Sequence, residues 1–145
     1  MPGQAYLITT VCMDREPWFA QWPQASALSA ALAAPRLWRT SQLQCWVLMP
    51  DHLHFLVALG DDEPLPKLVQ RVKAATASVA NWALGRRRRP IWAPGYHDHA
   101  LRRDEDARVL ARYIVANPLR AGLVEDVGDY PYWDATWLQG TSDLP

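Results

Sequence analysis

Two apolar runs, Leu43–Met49 and His52–Leu59, stand back to back with only Pro50-Asp51 between them. Each has strand length, and Pro-Asp between apolar runs is turn chemistry, so the pair is expected to form a β-hairpin. The flanking segments take their places around it. Tyr6–Met13, rich in β-branched and aromatic residues, reads as a strand. Gln24–Ala34 is Ala/Leu-rich and stops before Pro35, as a helix would. Lys67–Leu84 reads as a helix with Leu68, Val72, Ala75, Val79 and Trp82 on one face, closed by Gly85. Tyr96–Leu101 has strand length. Asp104-Glu105-Asp106 is an acidic helix start, and that helix is expected to run to about Asn117, before Pro118. The aromatic tail, about residues 130–138, is expected to dock on the core. The order βαββαβ plus a further helix predicts an α+β, ferredoxin-like sandwich: an antiparallel sheet with helices on one face and the other face free to carry a site. With 145 residues the chain has room for one domain, spanning 1–145.

Half of the residues are apolar and 21% are charged, which suits a packed core. The most apolar stretch, Trp46–Leu59, is interrupted by Pro50, Asp51, His52 and His54, so no membrane span is expected. Tyr6–Val11 is too short for a signal peptide and lacks a basic flank. Cys12 and Cys45 lie in apolar surroundings without metal-ligand spacing and are expected to be reduced core residues. An intracellular domain is therefore expected. The net charge of zero conceals a strong internal polarity. Residues 1–66 carry three basic against six acidic residues, 67–120 carry twelve against four, and 121–145 carry five acids and no base. A basic middle in a neutral chain points to a local anionic partner. Eight tryptophans add to this, because a Trp beside an arginine cluster can stack on nucleobases.

The sharpest chemical signal is His52-Leu53-His54 at the start of a strand. Side chains alternate across a strand, so both imidazoles share one face and can chelate one divalent ion. Two ordinary histidines beside a turn would look the same. A second pair, His97-Asp98-His99, lies in the basic segment next to Arg102-Arg103, as a phosphate-contacting strand, a second metal site or a surface pair. Tyr113 and Asn117 lie one turn apart on the last helix, at the edge of an apolar stripe formed by Val109, Leu110 and Ile114. Core packing and a helix end would also account for these two. A phenol with a pKa near about 10 is a weak nucleophile unless a neighbouring group activates its target. A metal held by the two histidines and an Asn carbonyl could polarise a phosphate. Arg71, Lys73, Arg86, Arg87, Arg88, Arg89, Arg102 and Arg103 are the expected holders of a nucleic-acid backbone. No Gly-rich phosphate loop, Ser/His/Asp elbow or HExxH helix occurs.

Three segments carry a family resemblance: Met49–Val57 (MPDHLHFLV), Gly95–Arg102 (GYHDHALR) and Ala111–Val124 (ARYIVANPLRAGLV). They resemble the REP-associated tyrosine transposases, members of the HUH single-strand DNA transposases and nucleases, and the likeness extends from Tyr6 to about Leu138. The resemblance implies a ferredoxin-like enzyme that cuts and rejoins single-stranded DNA beside a palindromic hairpin. It places the HUH pair on His52 and His54, the catalytic tyrosine on Tyr113, and the polar residue completing the metal site on Asn117. It implies Mg²⁺ or Mn²⁺ as cofactor, a 5′-phosphotyrosine intermediate, and action in the bacterial cytoplasm at the nucleoid. A monomer is expected rather than a dimer. The competing readings are a non-catalytic single-strand nucleic-acid-binding ferredoxin-like module and a metal-dependent phosphoesterase using activated water. A covalent protein–DNA adduct separates the first reading from both.

Overall fold

The hairpin forms as expected. In the computed structural model, which describes residues 3–87, 89–102, 107–125 and 130–135, strands β2 (Gln42–Met49) and β3 (His52–Ala58) pair antiparallel. Met49 faces His52 across the two-residue turn. Strand β1 (Ala5–Val11) pairs with the other side of β3, and β4 (His97–Ala100) pairs with β1 at the sheet edge. The order is β4-β1-β3-β2-β5, antiparallel throughout. The outermost strand, β5 (Trp133–Ala135), pairs with β2, so the aromatic tail docks by extending the sheet. Residues 136–138 of that tail, and the acidic helix start at 104–106, lie outside the described residues. No helix among the described residues is long and apolar enough to cross a membrane.

Alternation along β3 divides the core in two. Leu53, Phe55 and Val57 are wholly buried on the face covered by helices α1 (Trp22–Leu32) and α3 (Leu65–Ala83), together with Ile8, Leu28, Leu68 and Val72. Leu56 points the other way and joins Cys45, Val47 and Met49 beneath Ala111, Ile114 and Val115 of helix α4 (Ala107–Val115). The second face is therefore partly covered by α4 rather than bare. A strand covered on both faces reads as a nearly continuous apolar run, which is why the hairpin stands out in the sequence. Each such side chain contributes on the order of 1.5–3 kcal/mol by leaving water. Cys12 and Cys45 are buried free thiols, both pushed up to about 12 by burial, with the nearby carboxylates of Asp51 and Asp134 respectively adding to the effect.

Three details depart from the sequence reading. Pro35 does more than end α1: it opens a short helix α2 (Pro35–Trp38) that buries Leu37 and Trp38. On α3 the buried stripe is Leu65, Leu68, Val69, Val72, Thr76 and Ala80. Trp82 lies roughly 100° from the centre of that stripe at 3.6 residues per turn, and it is 79% exposed. The last helix stops at Val115, and a second short helix, α5 (Asn117–Arg120), starts with Pro118 in its first turn, where a missing N–H is tolerated. The inward residues of α4 are Ala111, Ile114 and Val115, whereas Val109 is exposed.

The loop that leads from α3 back to the sheet is fastened from inside. The Trp92 indole N–H donates to Thr76 Oγ1 at 2.9 Å, Thr76 in turn donates to the Val72 carbonyl at 2.7 Å, and the Trp92 ring stacks on Phe19. Thr76→Val keeps the shape but leaves the buried indole N–H without its acceptor. It should destabilise the protein by about 1–3 kcal/mol, read as a lower denaturant midpoint with an unchanged slope.

Candidate active site

The register of β3 sets the first part of the site. His52 and His54 project from the face opposite Leu53 and Phe55, their ring centroids 4.7 Å apart and the rings nearly perpendicular. Each ring has its Nδ1 engaged: that of His52 donates to Asp51 Oδ1 at 2.7 Å, and that of His54 lies 2.7 Å from Thr9 Oγ1. A carboxylate only accepts, so His52 Nδ1 is the donor and its Nε2 points away from that contact. Such partners fix the orientation of metal-binding imidazoles. The Asp51 carboxyl is raised by burial, but the hydrogen bond and charge of His52, with Arg15, outweigh this and hold it below its ordinary value. Burial pushes His54 down to about 4, with the positive charges of His52 and Arg120 acting in the same direction, so it is neutral at pH 7. A neutral His54 imidazole is a donor that suits a divalent ion. Among the described residues no third His, Cys, Asp or Glu completes a cluster, which leaves the Asn117 amide oxygen as the further protein donor from the expected set.

Pairing across the sheet adds a feature that spacing along the chain does not show. His97, Thr9, His54 and Val47 occupy one cross-strand row, so His97 shares the face of His52 and His54. At about 4.8 Å per strand it stands roughly 10 Å from His54 along that row. His97 and His99 are both exposed on the edge strand.

The second part comes from α4 and α5. Tyr113 is 61% exposed, with its neighbours Ala111 and Ile114 holding α4 on the sheet. The structure links Tyr113 and Asn117 through a residue that the sequence reading does not single out. The Arg120 guanidinium stacks over the Tyr113 ring, 3.8 Å from its centroid, and its Nη2 donates to Asn117 Oδ1. Tyr113, Asn117 and Arg120 follow the i, i+4, i+7 spacing of one helical face, which is the signal that could have found Arg120. The phenol of Tyr96, next to the His97–His99 strand, is raised above its ordinary value by burial and by the Asp98 charge.

The arginines and lysines divide into two groups. Arg71 is spent within the fold: it forks onto the Glu63 carboxylate and its Nε donates to the Leu37 carbonyl. The Lys73 ammonium donates to the carbonyls of Ala93 and Gly95. Arg86 stacks on Trp18, 4.2 Å from the ring centroid, and donates to Asn81 Oδ1 at 2.8 Å. Arg87, Arg89 and Arg102 are exposed, and Arg88 and Arg103 lie outside the described residues. Arg87 and Arg89 line a cleft of about 880 Å³ together with Trp82 and Ser78. Trp82, expected on the buried face of its helix, thus stands instead at an arginine-lined surface.

The family described as "Transposase IS200 like" matches residues 3–117 of this chain. A REP-associated tyrosine transposase of Escherichia coli (strain K12) is 31% identical over 96 residues, covering 65% of this chain and 54% of that protein. The chain thus spans about half the length of the curated relatives it matches. A REP-associated tyrosine transposase solved bound to a REP hairpin superimposes with a TM-score of 0.73 at 24% identity, over 92% of this chain and 77% of that one. The fold is shared. With the family match extending over most of its length, this chain belongs to the IS200-like transposases.

Proposed function

We propose that this protein is a metal-dependent single-strand DNA endonuclease and transposase of the bacterial cytoplasm that cuts and rejoins DNA beside palindromic REP hairpins through a 5′-phosphotyrosine. The observation that carries this reading is the assembly of an exposed Tyr113 with Asn117 and Arg120 on the helices that cover the sheet face bearing the paired imidazoles. A nucleic-acid-binding module has no use for that combination. The relative solved with a REP hairpin supports a hairpin as the partner.

In this reading Tyr113 Oη attacks the scissile phosphorus and the bond from phosphorus to the 3′-oxygen breaks. The phenol gives up its proton and the departing 3′-oxygen ends as a hydroxyl. The 5′-phosphate stays esterified to Tyr113. Attack by a 3′-hydroxyl on that ester reverses the step and frees the phenol, so the bond is conserved without a nucleotide cofactor. A Mg²⁺ or Mn²⁺ ion, for which His52, His54 and Asn117 are the donors, would polarise a phosphate oxygen. Asp51 and Thr9 hold the two rings in place for it. Arg87, Arg89 and Arg102, with Arg88 and Arg103, hold the DNA backbone, and Trp82 offers a stacking surface for an unpaired base. Arg71, Lys73 and Arg86 support the fold, Arg71 through Glu63, Lys73 through the Ala93 and Gly95 carbonyls, and Arg86 through Asn81.

His54→Ala should lower cleavage of a single-stranded hairpin oligonucleotide in Mn²⁺ by at least about 100-fold, with hairpin affinity nearly unchanged, because phosphate contacts supply most of the binding. Denaturing gels and filter binding measure the two, and full cleavage by the variant would refute the metal assignment. Tyr113→Phe should fold and bind the same oligonucleotide but form no covalent adduct; a nucleotide mapped to Tyr96 would reassign the nucleophile. Neutralising Arg87 and Arg89 together should flatten the salt dependence of binding by about 0.7–0.9 logarithmic units for each phosphate no longer neutralised. Trp82→Ala should weaken binding by about 1–3 kcal/mol with that slope preserved. An unchanged slope in the arginine variant would make the loop a solvated surface.

A further inference from the structure

Arg120 lies against both the nucleophile and the expected third ligand. Its Cζ lies 3.8 Å from the centre of the Tyr113 ring and its Nη2 meets Asn117 Oδ1. Arg15, Arg39 and Arg71 each pair with a carboxylate, whereas no carboxylate among the described residues pairs with Arg120. Asn117 takes one donor of a guanidinium that has five. Its position depends on the break at Ala116: the chain stays near-helical there, and α5 carries Arg120 two turns beyond Tyr113 on the same face.

We propose that Arg120 is a catalytic residue that receives the scissile phosphate beside Tyr113; this rests on the reading of Tyr113 as the nucleophile. A guanidinium fork fits the non-bridging oxygens of a phosphodiester. During attack by Tyr113 Oη those oxygens carry the charge of the five-coordinate phosphorus, so a cation fixed beside them favours the transition state over the bound substrate. No atom is transferred to or from Arg120. The phenol proton and the 3′-oxygen are disposed of as in the reaction above. In the absence of DNA the same cation rests on the π-face of the nucleophile and on Asn117, which keeps both oriented.

The test pairs a side-chain deletion with a substrate charge deletion. Arg120→Ala, Arg120→Lys and the unaltered chain are compared in single-turnover adduct formation on a hairpin oligonucleotide that the unaltered chain cleaves. The scissile linkage is either the natural phosphodiester or a stereopure methylphosphonate, in which one charged oxygen is replaced by a neutral methyl group. On the phosphodiester, Arg120→Ala should be slower by about 10²–10³-fold at saturating DNA, the size found for loss of a transition-state donor. Arg120→Lys should recover part of that loss. On one of the two methylphosphonate isomers the difference between Arg120→Ala and the unaltered chain should shrink to within about tenfold, because the charge that Arg120 neutralises is gone. Manganese binding followed by electron paramagnetic resonance should be retained in Arg120→Ala. An equal deficit on both methylphosphonates, or loss of manganese binding, would overturn the proposal and leave Arg120 a structural support. Tyr113→Phe run alongside separates the two levels: adduct formation by that variant would refute the nucleophile itself.

Discussion

The molecule is arranged around the pairing of β3 between β1 and β2. Because side chains on a strand alternate with period two, one register places Leu53, Phe55 and Val57 in the core under α1 and α3 and sends His52 and His54 to the opposite face. A slip by one residue would bury two imidazoles and expose three large apolar groups. The two-residue turn at Pro50-Asp51 fixes the register from one side, and the pairing of Thr9 with His54 fixes it from the other. The same Thr9 hydroxyl lies at the Nδ1 of His54. Folding and site assembly thus use one set of contacts.

Electrostatics divides the basic residues by what they already touch. Glu63, whose side chain is only 4% exposed, is held below its ordinary value by the hydrogen bonds of Arg71, against the opposing effect of its burial. That pair ties the start of α3 to the loop before it. An arginine so engaged would have to leave a nearly buried carboxylate to the single, longer contact of Arg39 at 3.5 Å in order to bind DNA, and such a loss is costly. Arg87 and Arg89 face no such conflict, and they flank Trp82 on α3, across the sheet from the histidine pair. In the proposed function, backbone holding by Arg87 and Arg89 and strand cleavage would fall on opposite sides of the sheet. This gives a hairpin and its single-stranded flank separate places to rest in the proposed reaction.

Helices α4 and α5 close the second face, and their junction matters more than their length. Ala111, Ile114 and Val115 hold α4 on β2, while Tyr113 stays open to solvent. Pro118 cannot donate an N–H, so the chain ends one helix and starts another around Ala116 without leaving the helical region. Arg120 is carried back over Tyr113 by that device. The Tyr130 hydroxyl, donating to the Leu48 carbonyl, and β5 beside β2 fasten the tail beneath the same helix.

Features that depend on near neighbours are legible in the chain before it folds. The hairpin, the βαββαβ order, the shared face of His52 and His54, and the one-turn spacing of Tyr113 and Asn117 all follow from local periodicity and turn chemistry, and the structure reproduces the first three closely. Other features exist only once distant segments meet. Trp82 lies near the apolar stripe by spacing, yet it turns outward because the helix is rolled to bury Val69, Thr76 and Ala80. Arg71 resembles its neighbours in charge and is set apart by the Glu63 carboxylate and the Leu37 carbonyl. His97 enters the row of His54 solely because β1 lies between their two strands. Arg120 reaches the site only with α4 docked on β2. Each of these outcomes depends on which distant segment lies against which face, a choice made by packing and by the pairing of buried polar groups, and neither is encoded in the periodicity of a single segment.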